Sequence, residues 1–439
     1  QVRSVNDVFN CRYEPLGPCP SFQKTETVAG GKAPRNIVNV DPLTSVESAC
    51  LVYPLAKYLK NKHKWYIFGR TPVEIATLVA ERASLAETIG EVDFSKFDAT
   101  ITEVLRDLEL AVTLRLFHPQ HHQRIDESHR RHLHRTIKGR FKTMFESEYM
   151  RLSGESGTST FNTLDNAFVS YCAFRHSVKP TTGLFFTPEE AFSALGLYGG
   201  DDSLNFDMQR EPYLDVCNWL QLRAKYVQHD RGVRVTLLGR VFSPRVWEGS
   251  IDNVCDVPRA LAKIHLSTDK QSSPAICAIN KARSLLCCDP NTPIISDLCH
   301  AVLAYHDALG ASFKPETWFS QYQETVQFTN GERDWALSYV EEVLPEFPFE
   351  AFRAHLASGC DPLYPPWRVE HVIPEVTREV LLDGVLVVPQ AAAEPAYVAR
   401  THIVVQGNNN AKALAAQLRT PNGIILVGLS GIPEAFEQE

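Results

Sequence analysis

The sequence predicts an α+β fold, and two kinds of pattern point to it. Residues 197–205 read Leu-Tyr-Gly-Gly-Asp-Asp-Ser-Leu-Asn, two apolar arms around a Gly-Gly turn, which is the pattern of a β-hairpin. Other stretches carry helix-start signals. Thr71-Pro72-Val73-Glu74 supplies an N-cap, a first-turn proline and a capping-box glutamate. At 439 residues the chain is long enough for two or three structural units and a large core.

The hydrophobic fraction of 44% and charged fraction of 22% are those of a globular protein. A net charge of -8 does not advertise nucleic-acid binding, but a basic channel can sit inside an acidic protein. The 11 cysteines form no Cys-x-x-Cys pair and no regular spacing, which suggests reduced thiols more than a disulfide framework or a zinc site. No apolar run reaches membrane-spanning length, and no secretory signal opens the chain. Because the first residue is Gln1, a fragment of a longer protein is expected, with membrane anchors or other activities in the missing part.

Taken in order, Gln1–Asp41 is rich in Pro, Gly and polar residues and carries Lys24, Lys32 and Arg35. Such side chains can hold triphosphate oxygens, or they form a solvated basic edge. Gly31-Lys32 lacks the upstream glycine of a P-loop. Leu43–Leu59 and Pro72–Ala83 read as helices. Glu91–Asp98 follows, with Val92, Phe94 and Phe97 seating a strand end in the core so that Asp93 and Asp98 emerge near its C-terminal edge. Ile101–Phe117 reads as an amphipathic helix. His118–Arg135, with six histidines and several arginines, offers metal-ligating side chains at no known ligand spacing and reads rather as a solvated basic segment suited to touching an RNA backbone.

Ser153–Asn166 is a Gly- and Ser-rich loop leading into a helix. Ser153, Thr158 and Asn162 offer short polar groups suited to a sugar hydroxyl, or to an ordinary helix cap. Thr187-Pro188 caps a short helix before the Gly-Gly turn. Adjacent Asp201 and Asp202 repel each other unless a cation neutralises them, which suits a hard divalent ion, or they form an ordinary solvated loop. Pro212–Val227 reads as helix and Val233–Phe242 as strand. Helices follow at Val257–Leu266, Pro274–Cys287, Pro293–Leu309 and Arg333–Val343. Leu381–Glu439 mixes short apolar runs with an alanine-rich helix near Ala411–Leu418.

The order Asp93-x4-Asp98, then Ser153-Gly-x3-Thr158-x3-Asn162, then Gly200-Asp201-Asp202 resembles the palm of viral RNA-dependent RNA polymerases. The wording around the motifs is most similar to the replicase of nodaviruses. The resemblance implies a right-hand palm with an antiparallel sheet, partial fingers and a helical thumb. It divides the chain into fingers and palm entry (1–92), palm (93–250), thumb (251–380) and a C-terminal extension (381–439). It implies template-directed RNA synthesis from NTPs on a viral RNA template, with Asp93, Asp201 and Asp202 holding Mg²⁺, or Mn²⁺, in a two-metal reaction. It assigns ribose recognition to Asp98, Ser153, Thr158 and Asn162, and triphosphate contact to Arg35, Lys32 and Lys24. A general acid is expected on the loop between Val227 and Val233, where His229, Arg231 and Arg234 are offered and Lys225 lies slightly early. The resemblance also implies self-association at an organelle membrane in the host cytoplasm, the mitochondrial outer membrane being one candidate. A reverse transcriptase, a non-catalytic RNA-binding scaffold and a phosphohydrolase are the rival readings.

Overall fold

The computed structural model describes residues 17–24, 35–139, 143–267, 269, 272–309 and 333–364, and four strand segments between 380 and 428. It divides into two compact units. One comprises Gln1–Gly17, Val40–Arg135 and Ser147–Trp367, the other Pro18–Asn39, Thr136–Glu146 and Arg368–Glu439.

In chain order the elements are β1 (Cys19–Gln23), β2 (Asn36–Val38), α1 (Pro42–Lys62), α2 (Pro72–Ala83), β3 (Thr88–Phe94), α3 (Glu103–Leu116), α4 (His122–Arg130), β4 (Thr136–Lys138), β5 (Met144–Glu146) and α5 (Thr158–His176). Next come α6 (Pro188–Ser193), β6 (Leu197–Gly199), β7 (Asp202–Phe206), α7 (Arg210–Trp219), β8 (Ala224–Asp230), β9 (Val235–Leu237), β10 (Arg240–Phe242) and β11 (Asn253–Cys255). The helices α8 (Val257–Ile264), α9 (Pro274–Cys288), α10 (Ile295–Ala308), α11 (Arg333–Val343) and α12 (Phe349–Ala357) precede β12 (Val380–Leu382), β13 (Val385–Pro389), β14 (Ile403–Gln406) and β15 (Val427–Gly428).

The larger unit is built on an antiparallel sheet in the order β6-β7-β3-β8. Side chains alternate between the faces of a strand, and β3 shows it. Ile89 joins the cluster formed with Ala76, Val79, Ala80 and Ala83 of α2, whose i, i+3, i+4, i+7 spacing makes one buried helical stripe. Val92 and Phe94 join the opposite cluster with Val169 and Ala173 of α5 and Tyr213 and Val216 of α7. A three-stranded sheet, β11-β10-β9, leads into the helices α8 to α12. Their core is formed by Val241, Val257, Ile295, Leu298, Val302, Val340 and Phe352 among others.

The smaller unit holds two four-stranded sheets, β2-β1-β4-β5 and β12-β13-β14-β15. The apolar runs expected at 385–388 and 403–405 pair antiparallel as β13 and β14. The alanine-rich helix expected at 411–418 lies outside the described residues.

Four expectations are corrected. The helix read over Pro212–Val227 ends at Trp219, and Ala224 onward is β8, the partner of β3 along its whole length. Gln221, at a φ of +60°, breaks the helix, and seven residues of sheet pairing outweigh local helix propensity. The single strand read over Val233–Phe242 folds back at Leu238-Gly239 into the hairpin β9–β10. The start expected at Thr292-Pro293 falls at Ile295, with the Asp297 carboxylate accepting from the Ile294 backbone N–H at 3.2 Å. The segment His118–Arg135 is not simply solvated. Ile125, Ser128, His132 and Arg135 are buried, and Arg124 and Arg131 reach the buried Glu47 at 3.4 and 3.8 Å.

Candidate active site

Register fixes the turn at the centre of the site. Gly199 pairs with Asp202, so Gly200 and Asp201 form a two-residue loop between β6 and β7. Gly200 has a φ of +71°, which glycine adopts without a Cβ clash. Helix α5 holds both of its backbone polar groups. The Gly200 N–H donates to Thr163 Oγ1 at 2.9 Å, and the Asn166 Nδ2 donates to the Gly200 carbonyl at 3.0 Å. Asp201 is thereby presented to solvent on a braced turn, with Asp202 half-buried behind it.

The third carboxylate arrives on the neighbouring strand. Val92 pairs with Ser203, so the next residue, Asp93, stands at the level of Asp202. Alternation puts Asp93 on the β3 face of Ile89 and Glu91, as it puts Asp202 on the β7 face of Leu204. Burial first, then the charges of Asp201 and Asp93, push the Asp202 pKa up to about 6, with Arg259 opposing the rise. Among the described residues no three ligating side chains close into a ready-made metal cage. The donor set still fits Mg²⁺ or Mn²⁺: such an ion takes one or two carboxylates, keeps waters and fills its shell with phosphate oxygens. Its charge would relieve the mutual repulsion of the three aspartates.

Asp98 and Asn162, separated by 64 residues, are brought together: Asn162 Nδ2 donates to Asp98 Oδ1 at 2.7 Å. The direction of that amide is set from behind. Arg151 Nε donates to Asn162 Oδ1 at 2.9 Å, which leaves the NH₂ group facing Asp98. Arg151 is itself clamped by Glu109 (2.7 and 3.0 Å) and Asp165 (2.9 Å), and Arg106 joins Glu109 and Glu155. These five charged side chains are all buried. Burial pushes Glu155 up, but Arg106, His132 and Arg151 outweigh it and hold it at about 2. Burial, Asp201 and Glu155 raise the Asp98 pKa, and Asn162 and Arg151 only partly offset them.

The remaining expected residues are placed as follows. Thr158 turns its hydroxyl to the Leu152 and Glu155 carbonyls at 3.1 and 3.0 Å, closing the loop before α5. Ser153 is half-buried in that loop. Lys24 and Arg35 follow β1 and precede β2 in the smaller unit, and the Lys24 N–H donates to the Arg35 carbonyl at 2.8 Å. Lys32 lies outside the described residues.

The loop expected to carry a general acid is largely strand, and its candidates are engaged elsewhere. His229 lies at the far end of β8 from Asp93, 3.2 Å from Glu91. Arg231 donates to the Ala86 and Trp247 carbonyls, and Arg234 forms a two-pronged bond to Glu342 at 2.5 and 2.6 Å. Lys225, exposed on β8, is the direct cross-strand neighbour of Asp93.

Sequence reasoning missed Thr163, Asn166, Arg151 and Glu109. A signal for the α5 residues was present: Thr160, Thr163, Asn166 and Ser170 place polar groups on what would otherwise be a core-facing helix.

No protein-family model matches the chain. The RNA-directed RNA polymerase of Pieris rapae virus is 31% identical over 309 residues, 69% of this chain and 29% of that protein. That of Greasy grouper nervous necrosis virus is 30% identical over 302 residues, 68% of this chain and 30% of that protein. That of Pariacoto virus is 30% identical over 305 residues, 64% of this chain and 29% of that protein. The chain therefore matches only about 30% of the length of these relatives. Among solved structures, the RNA-dependent RNA polymerase of a human picorbirnavirus superposes with a TM-score of 0.52 over 65% of this chain and 55% of that chain, at 11% identity, a likeness of fold.

Proposed function

We propose, on the premise that this chain is a homologue of nodavirus RNA-directed RNA polymerases, that it synthesises RNA from NTPs on an RNA template. The observation that carries the reading is the meeting of Asp93, Asp201 and Asp202 at one end of the β7–β3 pair, with Asp98 and Asn162 bonded to each other nearby. In this reading the β6-β7-β3-β8 sheet is the palm, α8 to α12 form the thumb, and Lys24, Lys32 and Arg35 belong to the fingers.

The three aspartates would hold Mg²⁺ or Mn²⁺, which supplies charge neutralisation for the attacking 3′-oxygen and the leaving pyrophosphate. The residues of the chain do the rest. The braced Gly200-Asp201 turn fixes the carboxylates, so no reorganisation is needed as charge develops. The Asp98–Asn162 pair offers an acceptor and an amide to a ribose 2′-hydroxyl. A deoxynucleotide would leave those groups unpaired, which is the basis of discrimination. By the same reading the protein self-associates in a replication complex at an organelle membrane of the host cell.

The test is NTP incorporation on a primed RNA template with Mg²⁺ or Mn²⁺, comparing the chain with Asp201→Asn. Template-dependent extension abolished by the substitution is the expected result. Equal activity in both proteins would remove Asp201 from the mechanism. Efficient incorporation of dNTPs would favour a reverse transcriptase. Silence in this chain and in the longer protein would leave a scaffold.

A further inference from the structure

Glu91 is a carboxylate that the proposed reaction does not use. It lies two residues before Asp93 on β3, so alternation puts it on the same face, where its partner on β7 is Leu204. That face is apolar around it: Ile89, Leu204, Val235 and Leu237 belong to one buried cluster. The Glu91 side chain is 25% exposed, and a carboxylate so placed is costly unless it is bonded. Two groups meet it. Its Oε1 accepts the backbone N–H of Thr236, and His229 Nε2 of β8 lies 3.2 Å from the same oxygen.

The Thr236 bond joins two sheets. β9 is the outer strand of β11-β10-β9, and its pairing with β10 uses one edge only. The Thr236 N–H belongs to the other edge, and Glu91 supplies an acceptor there in place of a further strand. Beyond Thr236 the hairpin turns at Leu238, which holds a φ of +52°. A leucine in the left-handed region is uncommon and strained, and it persists only where its surroundings over-determine it. Here the surroundings include the Asp201 hairpin: a Cβ added to Gly199 would lie 3.3 Å from Leu238 Cδ2. Gly199 is the cross-strand partner of Asp202. Asp93 and Asp202 are therefore related by two routes, directly through the β3–β7 pairing and again through Glu91, β9 and Leu238.

Resting on the polymerase reading, we propose that Glu91 is a positioning residue: by holding the edge of β9 it keeps Leu238 on the Asp201 hairpin and fixes Asp201 and Asp202 relative to Asp93. The rival role for the same carboxylate is charge, since Glu91 adds to the negative field at Asp202. A bracket needs an acceptor and a field needs a charge, so Glu91→Gln separates them.

A first experiment needs neither metal nor RNA. Amide hydrogen exchange is measured on the full chain, on Glu91→Ala and on Glu91→Gln. The Thr236 amide should exchange about five-fold faster in Glu91→Ala and stay near the parent rate in Glu91→Gln. No change at Thr236, or an equal rise along β3 and β8, overturns the tie whether or not the protein is a polymerase. Mn²⁺ is then titrated into the three proteins without RNA or NTP and followed by paramagnetic resonance. Binding should weaken about three- to ten-fold in Glu91→Ala and hold in Glu91→Gln. Equal weakening in both variants assigns Glu91 to the charge of the site and overturns the positioning role, and so does unchanged binding in both. In single-nucleotide extension, kcat should fall in Glu91→Ala with KM for the NTP unchanged, and Glu91→Gln should restore it. A raised KM with kcat unchanged, or no rescue by glutamine, overturns the role in synthesis. Silence of the parent chain in extension, with the exchange and Mn²⁺ results as expected, removes the polymerase reading and leaves the bracket standing.

Discussion

Two clusters of charge lie along helix α5, and they are built on opposite principles. At the Gly200-Asp201 turn, aspartates of one sign converge, with a half-buried Asp202 whose pKa rises to about 6. At Arg151, two buried arginines meet Glu109, Glu155 and Asp165 at 2.7 to 3.6 Å. Burial and the charge of Glu109 push the Asp165 pKa well above its ordinary value, so the two arginines balance the two carboxylates that the cluster holds charged, Glu109 and Glu155. The first cluster keeps an excess of negative charge at a solvent-facing edge, offset only in part by Arg259. The second is compensated in place and acts as a strut, fixing Asn162 and through it Asp98. An excess of one sign at an edge is costly and calls for a counter-charge from outside the chain, whereas charges balanced in the interior hold their neighbours still.

The largest effects should separate the two clusters cleanly. Asp201→Asn should lower RNA synthesis by roughly 10³-fold or more, since metal-borne charge stabilisation is worth several kcal/mol. The same substitution should leave the melting temperature equal or higher, because a repelling charge is gone. Arg151→Ala should do the reverse to stability and cost about 3–5 kcal/mol in denaturant unfolding, because it strands Glu109 and Asp165 in the interior. If Arg151→Ala unfolds no more easily than the parent chain, the strut is not one.

A gentler change sharpens the comparison. Arg151→Lys keeps the charge but not the planar fork that reaches Asn162 and Glu109 together. Preference for NTP over dNTP should fall about ten-fold, roughly the worth of one charge-assisted hydrogen bond. NTP incorporation itself should change less, and single-nucleotide kinetics with both substrates would show the split. Thr163→Val leaves the Gly200 N–H without its acceptor and should cost about 1–3 kcal/mol of stability, with a lowered kcat and little change in KM as the turn loosens.

The smallest effect is in pH. The folded, metal-free protein holds the Asp202 proton up to about pH 6, above the ordinary aspartate value of 3.8. Because the folded pKa is the higher one, the contribution of this group to stability is full at low pH and is lost as pH rises through about 4 to about 6. Melting temperatures of the metal-free chain at pH 5 and pH 7 should therefore differ more than those of Asp202→Asn. Mn²⁺, which must displace that proton, should bind more weakly at pH 5 than at pH 7.

Much of this site was legible from residue order. The hairpin around Gly200, the strand end at Asp93 and the helix after Ser153 follow from short-range rules about turns, alternation and caps. Helix α2 starts and stops where its capping box and alanine stripe say. The Asp98–Asn162 pairing was also anticipated, though only through resemblance to a family. The readings that failed did so where distant partners overruled local preference. Ala224–Asp230 becomes a strand because β3 offers it seven registered partners. Leu238 turns in a left-handed conformation that its own residue type disfavours, with its side chain packed on Gly199. Arg135, in a segment that reads as basic and polar, is buried beside Asp41.

By itself the sequence determined which residues carry charge at the carboxylate edge and which backbone positions turn, because those depend on neighbours a few residues away. Only the tertiary structure decided which charges are neutralised. Whether Arg151 meets Glu109 or Arg259 faces Asp202 depends on side chains 42 and 57 positions apart, and no local rule of spacing can state that. The electrostatic difference between a braced carboxylate edge of one sign and an interior strut of paired charges arises only when the chain has closed on itself.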